Sequence, residues 1–194
     1  MMNQEELKVY WIDMKYIRNL HNKVDPRVYS VSPQSGKAGR PFLGIILVCN
    51  SHKYCVPLSK PKPKHQRMRN KIDFKKIVHN DEFLGVLNFN FMIPVQDAQI
   101  HQIDTKIHKH DNPATRRKKA FLAKELEWCN EHARDLINTA NVLYQKYTSG
   151  EEFAARKQCL NFKKLEEECE RYNKSLQIPA GSENQITTSQ PGRT

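Results

Sequence analysis

The sequence predicts an α+β fold, in which strands fill the first half and helices the second. Two observations support this. Before residue 95, apolar residues alternate or form short runs bounded by Pro, Asn and Gly. After Asp111-Asn112-Pro113 they recur in steps of three and four, the spacing that keeps side chains on one helix face. Strands followed by helices, with short linkers, read as an antiparallel sheet covered by helices.

Leu7 to Ile12 alternates and reads as the opening strand. Asp13 is placed to cap a helix running to about His21, since its carboxylate can accept from orphan backbone N–H groups. A loop rich in Pro, Ser and Gly spans Val24 to Pro41. Further strands are expected at Phe42–Cys49, Lys53–Leu58, Phe74–Val78, Gly85–Asn88 and Met92–Pro94. One long helix is expected from Ala114 to Tyr147, with Leu122, Leu126, Cys129, Ala133, Leu136, Ala140 and Leu143 on its apolar face and Gly150 ending it. Phe153 to Tyr172 reads as another amphipathic helix. Residues 1–175 read as one domain, and residues 176–194, rich in Ser, Thr, Gln, Pro and Gly, as a disordered tail.

Composition narrows the function. The 194 residues carry 32 Lys and Arg against 21 Asp and Glu, a net charge of +11, which points to a polyanionic partner. No apolar run approaches the length of a membrane span, and the polar start Met1 to Glu6 reads as no secretory signal. The five cysteines include no CxxC pair, so they read as reduced thiols of a cytoplasmic protein.

The basic residues cluster. Lys60 to Lys76 holds nine, His65 included, and Arg116-Arg117-Lys118-Lys119 forms a second knot. The segment Val56 to His65 sets Ser59, Lys60, Lys62, Lys64 and His65 among three prolines. Each proline fixes φ and biases its predecessor away from helix, so the segment reads as an extended loop that projects. A hydroxyl and cations on such a loop suit a phosphodiester. There is no DxD or HExxH pattern, and the spacing of His101, His108 and His110 matches no familiar zinc site. No metal or other cofactor is expected.

Five segments resemble the ToxN/AbiQ endoribonucleases, protein toxins of type III toxin–antitoxin systems. They are the opening strand with Tyr10 and Lys15-Tyr16-Ile17; Arg40 to Ile45; the Val56-to-His65 loop; Gly85 to Phe89 leading into Phe91 to Pro94; and Cys159 to Glu167. The resemblance covers about Leu7 to Tyr172. It implies a compact, strongly twisted antiparallel sheet flanked by helices, similar to the Kid/MazF toxins. It also implies metal-independent RNA cleavage, often at adenine-rich sites, leaving 2′,3′-cyclic phosphate ends. The implied inhibitor is a repeated RNA pseudoknot that the enzyme itself cuts from a precursor, in a closed ring of three proteins and three RNAs. Cellular and phage RNAs are the implied substrates, and growth arrest with aborted phage infection the outcome.

The resemblance also implies roles. Ser59 would hydrogen-bond the scissile phosphate, Lys62 would stabilise the phosphorane, Arg40 would contact phosphate, Tyr29 would stack on a base and Lys124 would face the groove. Lys60 stands where relatives carry a second hydroxyl, and Ala123 where some carry an aromatic residue. Lys64 and His65 are candidate RNA contacts in the loop, His65 with a near-neutral pKa suited to moving a proton. Arg116, Arg117, Lys118 and Lys119, with Lys163 and Lys164, are candidate antitoxin contacts that also read as solvated helix faces. Phe91 and Trp128 are further aromatics for stacking, Trp128 also readable as helix packing. A non-catalytic RNA-binding protein is the alternative if Lys60 disables the site. A DNA-binding regulator ranks third, lacking a short recognition helix.

Overall fold

The structure is a computed structural model that describes residues 6–29, 41–48 and 52–177. Its seven strands are β1 (Lys8–Ile12), β2 (Phe42–Val48), β3 (His52–Ser59), β4 (Phe74–His79), β5 (Glu82–Asn88), β6 (Ile93–Val95) and β7 (Ile100–Gln102). Its five α-helices are α1 (Met14–Lys23), α2 (Pro63–Arg67), α3 (Pro113–Glu131), α4 (Ala133–Thr148) and α5 (Phe162–Gln177).

All strand pairings are antiparallel, and the twisted sheet runs β4-β5-β3-β2-β1-β7. Strand β3 organises it. One edge of β3 pairs with β2, while the other pairs first with β6, at Lys53↔Val95, and then with β5, at Ser59↔Val86. Changing partners along one strand leaves its end, Ser59, paired with β5 rather than β6. Asn80 and Asp81, at φ 48° and 60°, close the β4–β5 hairpin, the left-handed pair that matches strand twist.

The helices cover this sheet, with α4 on β2, α3 on β4 and β5, and α5 on β6. Tyr54 of β3 is fully buried between Tyr144 and Phe162, at ring distances of 5.9 and 6.0 Å. Its phenol donates to Glu166 (2.9 Å), which satisfies a polar group that would otherwise cost stability in the core. Asp13 caps α1 as its sequence position predicts, accepting from the backbone N–H groups of Lys15 and Tyr16.

Several elements depart from the sequence reading. The expected single helix is two, because His132 adopts φ −106° and ψ 12°. Its ring stacks on Trp128 at 4.1 Å, and its backbone N–H donates to the Trp128 carbonyl. The apolar rhythm stays in phase across the break, so periodicity conceals it. The predicted helix from Phe153 contains instead a 3-10 turn at Arg156–Gln158. α5 begins after Asn161, whose side chain accepts from the Lys164 N–H. It continues to Gln177, so Leu176 and Gln177 are helical, and the rest of the expected tail, 178–194, lies outside the described residues. The short strand β7 was not foreseen. The loop after β3 does not stay extended: Pro63 opens α2, a first-turn position where its missing N–H costs nothing.

Cys55, Cys129, Cys159 and Cys169 are buried free thiols, and Cys49 lies outside the described residues. Burial pushes the Cys159 thiol up to about 12. Among the described residues no helix is long and apolar enough to cross a membrane.

Candidate active site

A cleft of about 730 Å³ opens where β3 ends. Its walls are Pro57 to Lys60 with Lys62, Lys64 and His65; Asn88, Phe91 and Ile93; Pro41 and Phe42; His21 and Arg27 to Tyr29; and Leu160. The loop candidates and Tyr29, 30 residues apart in sequence, thus meet in one cavity. Four cations line it, Arg27, Lys60, Lys62 and Lys64, and none of its described lining residues is acidic. Such a wall attracts phosphate.

Ser59 is the last residue of β3, half-buried rather than on a free loop. Asn88, ending β5, donates from Nδ2 to Ser59 Oγ (3.2 Å). The hydroxyl is therefore held as an acceptor, and its own O–H remains to donate to a bound oxygen. Lys60, Lys62 and Lys64 are exposed on the following turn.

His65 supports that turn. It is buried, its ring lies 5.6 Å from Phe74, and its Nδ1 accepts from the backbone N–H of Lys62 (3.1 Å). Accepting at Nδ1 places the proton of the neutral ring on Nε2. Burial, then the charges of Lys64, Lys62 and Lys76, hold its pKa below the ordinary value, so the ring is neutral at pH 7. Lys76 ties α2 to β4 by donating to the Gln66 carbonyl (2.8 Å).

Arg27 also frames the cleft without being free to swing. Its fork donates to Asp25 (2.7 Å) and to the carbonyls of Cys159 (2.9 Å) and Lys157 (3.1 Å). Those hydrogen bonds hold the Asp25 carboxyl below its ordinary pKa, against the opposing effect of burial.

Behind the turn lies Glu125 of α3, only 5% exposed. Burial pushes its pKa up to about 7, while the charge of Lys60 acts to lower it. Gly85 of β5 makes room for it: a Cβ there would stand 2.4 Å from Glu125 Oε1 and 3.1 Å from the Ser59 carbonyl oxygen.

The other candidates lie elsewhere. Arg40 is outside the described residues. Lys124 pairs with Glu82 (3.0 Å), both well exposed, and is not part of the cleft wall. Lys119 holds Asp111 (3.1 Å), Asp104 (3.3 Å) and the Lys106 carbonyl (2.8 Å). Burial opposes its charge, but the two carboxylates outweigh that and hold its pKa above the ordinary value. Arg116 donates to the His108 carbonyl (3.1 Å) and Lys118 lies 5.1 Å over the Trp11 ring, whereas Arg117 is exposed. Lys163 is engaged by Tyr144 (2.6 Å) and Glu166 (3.0 Å). Lys164 borders a second cleft of about 440 Å³ with Arg27, Arg156 and Lys157. His108 stacks on His110 and pairs with Asp104 (2.6 Å), while His101 lies on β7 opposite Trp11. Trp128 is half-buried against the core.

Sequence reasoning did not select Asn88, Arg27 or Glu125. Asn88 ends a strand that is one of the five resembling segments, which was the available signal. Nothing local marks Glu125 among the charges of α3.

A family model described as toxin ToxN, type III toxin–antitoxin system, matches residues 8–170. The chain is similar to the endoribonuclease ToxN of Pectobacterium atrosepticum, 26% identical over 175 residues, covering 88% of this chain and 96% of that protein. Two solved structures share the fold at 26% identity. One, from work on selective toxin inhibition by a non-coding RNA pseudoknot in type III systems, aligns with a TM-score of 0.71 over 87% of this chain and 99% of the other. The second, from work on a bacterial antiviral system regulated by a processed non-coding RNA, aligns at 0.70 over 84% and 97%.

Proposed function

The chain belongs to the ToxN toxin family of type III toxin–antitoxin systems, and from that premise we propose that its cationic cleft cleaves RNA without a metal ion. The protein is an endoribonuclease toxin held in check by an RNA antitoxin, and its setting is defence against phage. The observation that carries this reading is the meeting of Ser59, its Asn88 tether and three lysines in one cavity with no acidic residue among its described walls.

In the reaction, the ribose 2′-OH attacks the adjacent phosphorus in line and loses its proton. The 5′-oxygen leaves and gains one, giving a 2′,3′-cyclic phosphate and a 5′-OH. The nucleophile belongs to the substrate, so the protein's tasks are alignment and charge stabilisation. Ser59 donates its O–H to a non-bridging oxygen. Lys62 and Lys60 neutralise the charge that grows on the phosphorane, with Lys64 near the entrance. The buried, neutral His65 fixes the turn's shape. Tyr29 and Phe91, both in the cleft wall, stack on bases flanking the cut. Adenine-rich sites are the preferred substrates among cellular and phage RNAs. The inhibitor is a repeated pseudoknot that the enzyme releases from its precursor, in an assembly of three proteins and three RNAs. Activity arrests growth and aborts infection.

The test is end-mapping after incubation with adenine-rich transcripts. Cyclic phosphate ends that form in EDTA are expected, and Ser59→Ala or Lys62→Ala should slow cleavage on the order of 100-fold. Unchanged rates in both variants, or ends dependent on added divalent ion, overturn the proposal. Because Lys60 replaces a second hydroxyl, a second reading is a pseudoknot-binding protein that does not cut. It predicts tight RNA binding with no products.

A further inference from the structure

We infer that Glu125 is a positioning residue for the Ser59–Lys60 turn, acting on Lys60 from behind the cleft through the space that Gly85 leaves open. This rests on the cleavage reading, since it assigns a partner to a lysine proposed to act there.

The geometry is specific. Glu125 reaches from α3 to the end of β3, where its Oε1 and the Ser59 carbonyl crowd the same side of Gly85. Any side chain at position 85 would force the carboxylate to shift from this place. Among the described residues no ion pair or hydrogen bond engages Glu125, although α3 is rich in cations. The groups around it are few. Lys60 acts on it from the turn and Cys129 lies one turn along α3. The charges of β4 and β5, which pack on α3, are directed elsewhere: Lys75 to Asp135, Lys76 to the Gln66 carbonyl, His79 towards Glu131 and Glu82 to Lys124.

Two protonation states then have different effects. As a neutral acid, Glu125 exerts no charge on Lys60 or on the Ser59 carbonyl that faces the same glycine. As a carboxylate, it repels that carbonyl and attracts the Lys60 ammonium, drawing the lysine back against the turn next to Ser59. Lys60 is exposed and solvated, so what Glu125 can change is where its ammonium rests, and it does so from outside the cleft wall. Ionisation of Glu125 thus orders a catalytic cation while the cleft wall stays positive.

The test pairs kinetics with a direct titration of the full-length protein. Rates on an adenine-rich RNA are measured from pH 5.5 to 8.5 for wild type and Glu125→Gln, an isosteric change whose folding is checked by thermal melting. Wild-type kcat is expected to rise about tenfold through a limb near pH 7 with KM nearly constant, and E125Q to lack the limb. Separately, ¹³C carboxyl shifts of Glu125 are followed in wild type and Lys60→Met, which requires neither activity nor a change at 125. The midpoint should move to higher pH when Lys60 is neutralised. A limb that survives in E125Q, or a midpoint indifferent to Lys60, overturns the inference. A coupled midpoint in a protein that never cuts RNA upholds the pairing and overturns the cleavage reading instead.

Discussion

Burying Glu125 favours its neutral form, and the consequence for stability has a definite sign. Its folded pKa of about 7 lies above the ordinary 4.5, so the folded state binds the extra proton. The stability this group contributes is complete below pH 4.5 and is lost as pH rises through 7. The loss approaches about 3 kcal/mol at high pH. In urea titrations at pH 5 and pH 8, wild type should lose stability over that interval relative to E125Q. Equal pH dependence in the two proteins would show that the carboxyl is not buried in solution. The ionised form proposed to serve the site is therefore the one the fold disfavours. Lys119 and Lys163 present the opposite case. Each reads in sequence as a free cation, but both hold carboxylates in place. Replacing Lys119 with Ala should lower the melting temperature while leaving RNA affinity within about twofold, because its ammonium is already held by the carboxylates of Asp111 and Asp104 and by a backbone carbonyl.

At the scale of elements, the meeting of β3, β5 and α3 matters most. Gly85→Ala would place a methyl 2.4 Å from Glu125 Oε1 and 3.1 Å from the Ser59 carbonyl. Overpacking of this kind costs roughly 1–3 kcal/mol, and here cleavage should fall with it. Gly150→Ala is the control: its φ of +83° strains any side chain, but the space around it is open. It should cost about 1 kcal/mol and leave cleavage unchanged. If both variants cut RNA alike, the packing of α3 behind the turn is irrelevant to activity. Most elements were legible from period and punctuation, as with Asp13 ahead of α1 and alternation in β1. The break at His132 was not, since the backbone turns while the apolar phase continues from Cys129 to Ala133 and Leu136. Nor was α2, because proline that resists helix in mid-segment favours it at the first position.

For the whole molecule, the charge of +11 favours polyanions, and the proposed binding of RNA should depend on it through salt. Each phosphate contact on a single strand contributes about −0.7 to the slope of log affinity against log salt. Neutralising Lys60, Lys62 and Lys64 together should flatten that slope by about 2, whereas neutralising Lys163 should not change it. Filter binding at several salt concentrations, with a non-cleavable RNA, measures both. An unaltered slope in the triple variant would move the RNA site away from this cleft.

The chain's own residues determined the α+β class, the strongly basic charge, the hydroxyl and lysines proposed for the site, and the resemblance to the family. These properties are carried by local spacing, composition and short runs of neighbours. Which cations are free, and which residues stand around Ser59, was decided only by the tertiary structure. Asn88 ends β5, Arg27 lies in the turn after α1 and Glu125 belongs to α3, so the three come from separate parts of the chain. Burial and pairing depend on residues distant in sequence, and folding alone determines which of them come within hydrogen-bonding or Coulomb range.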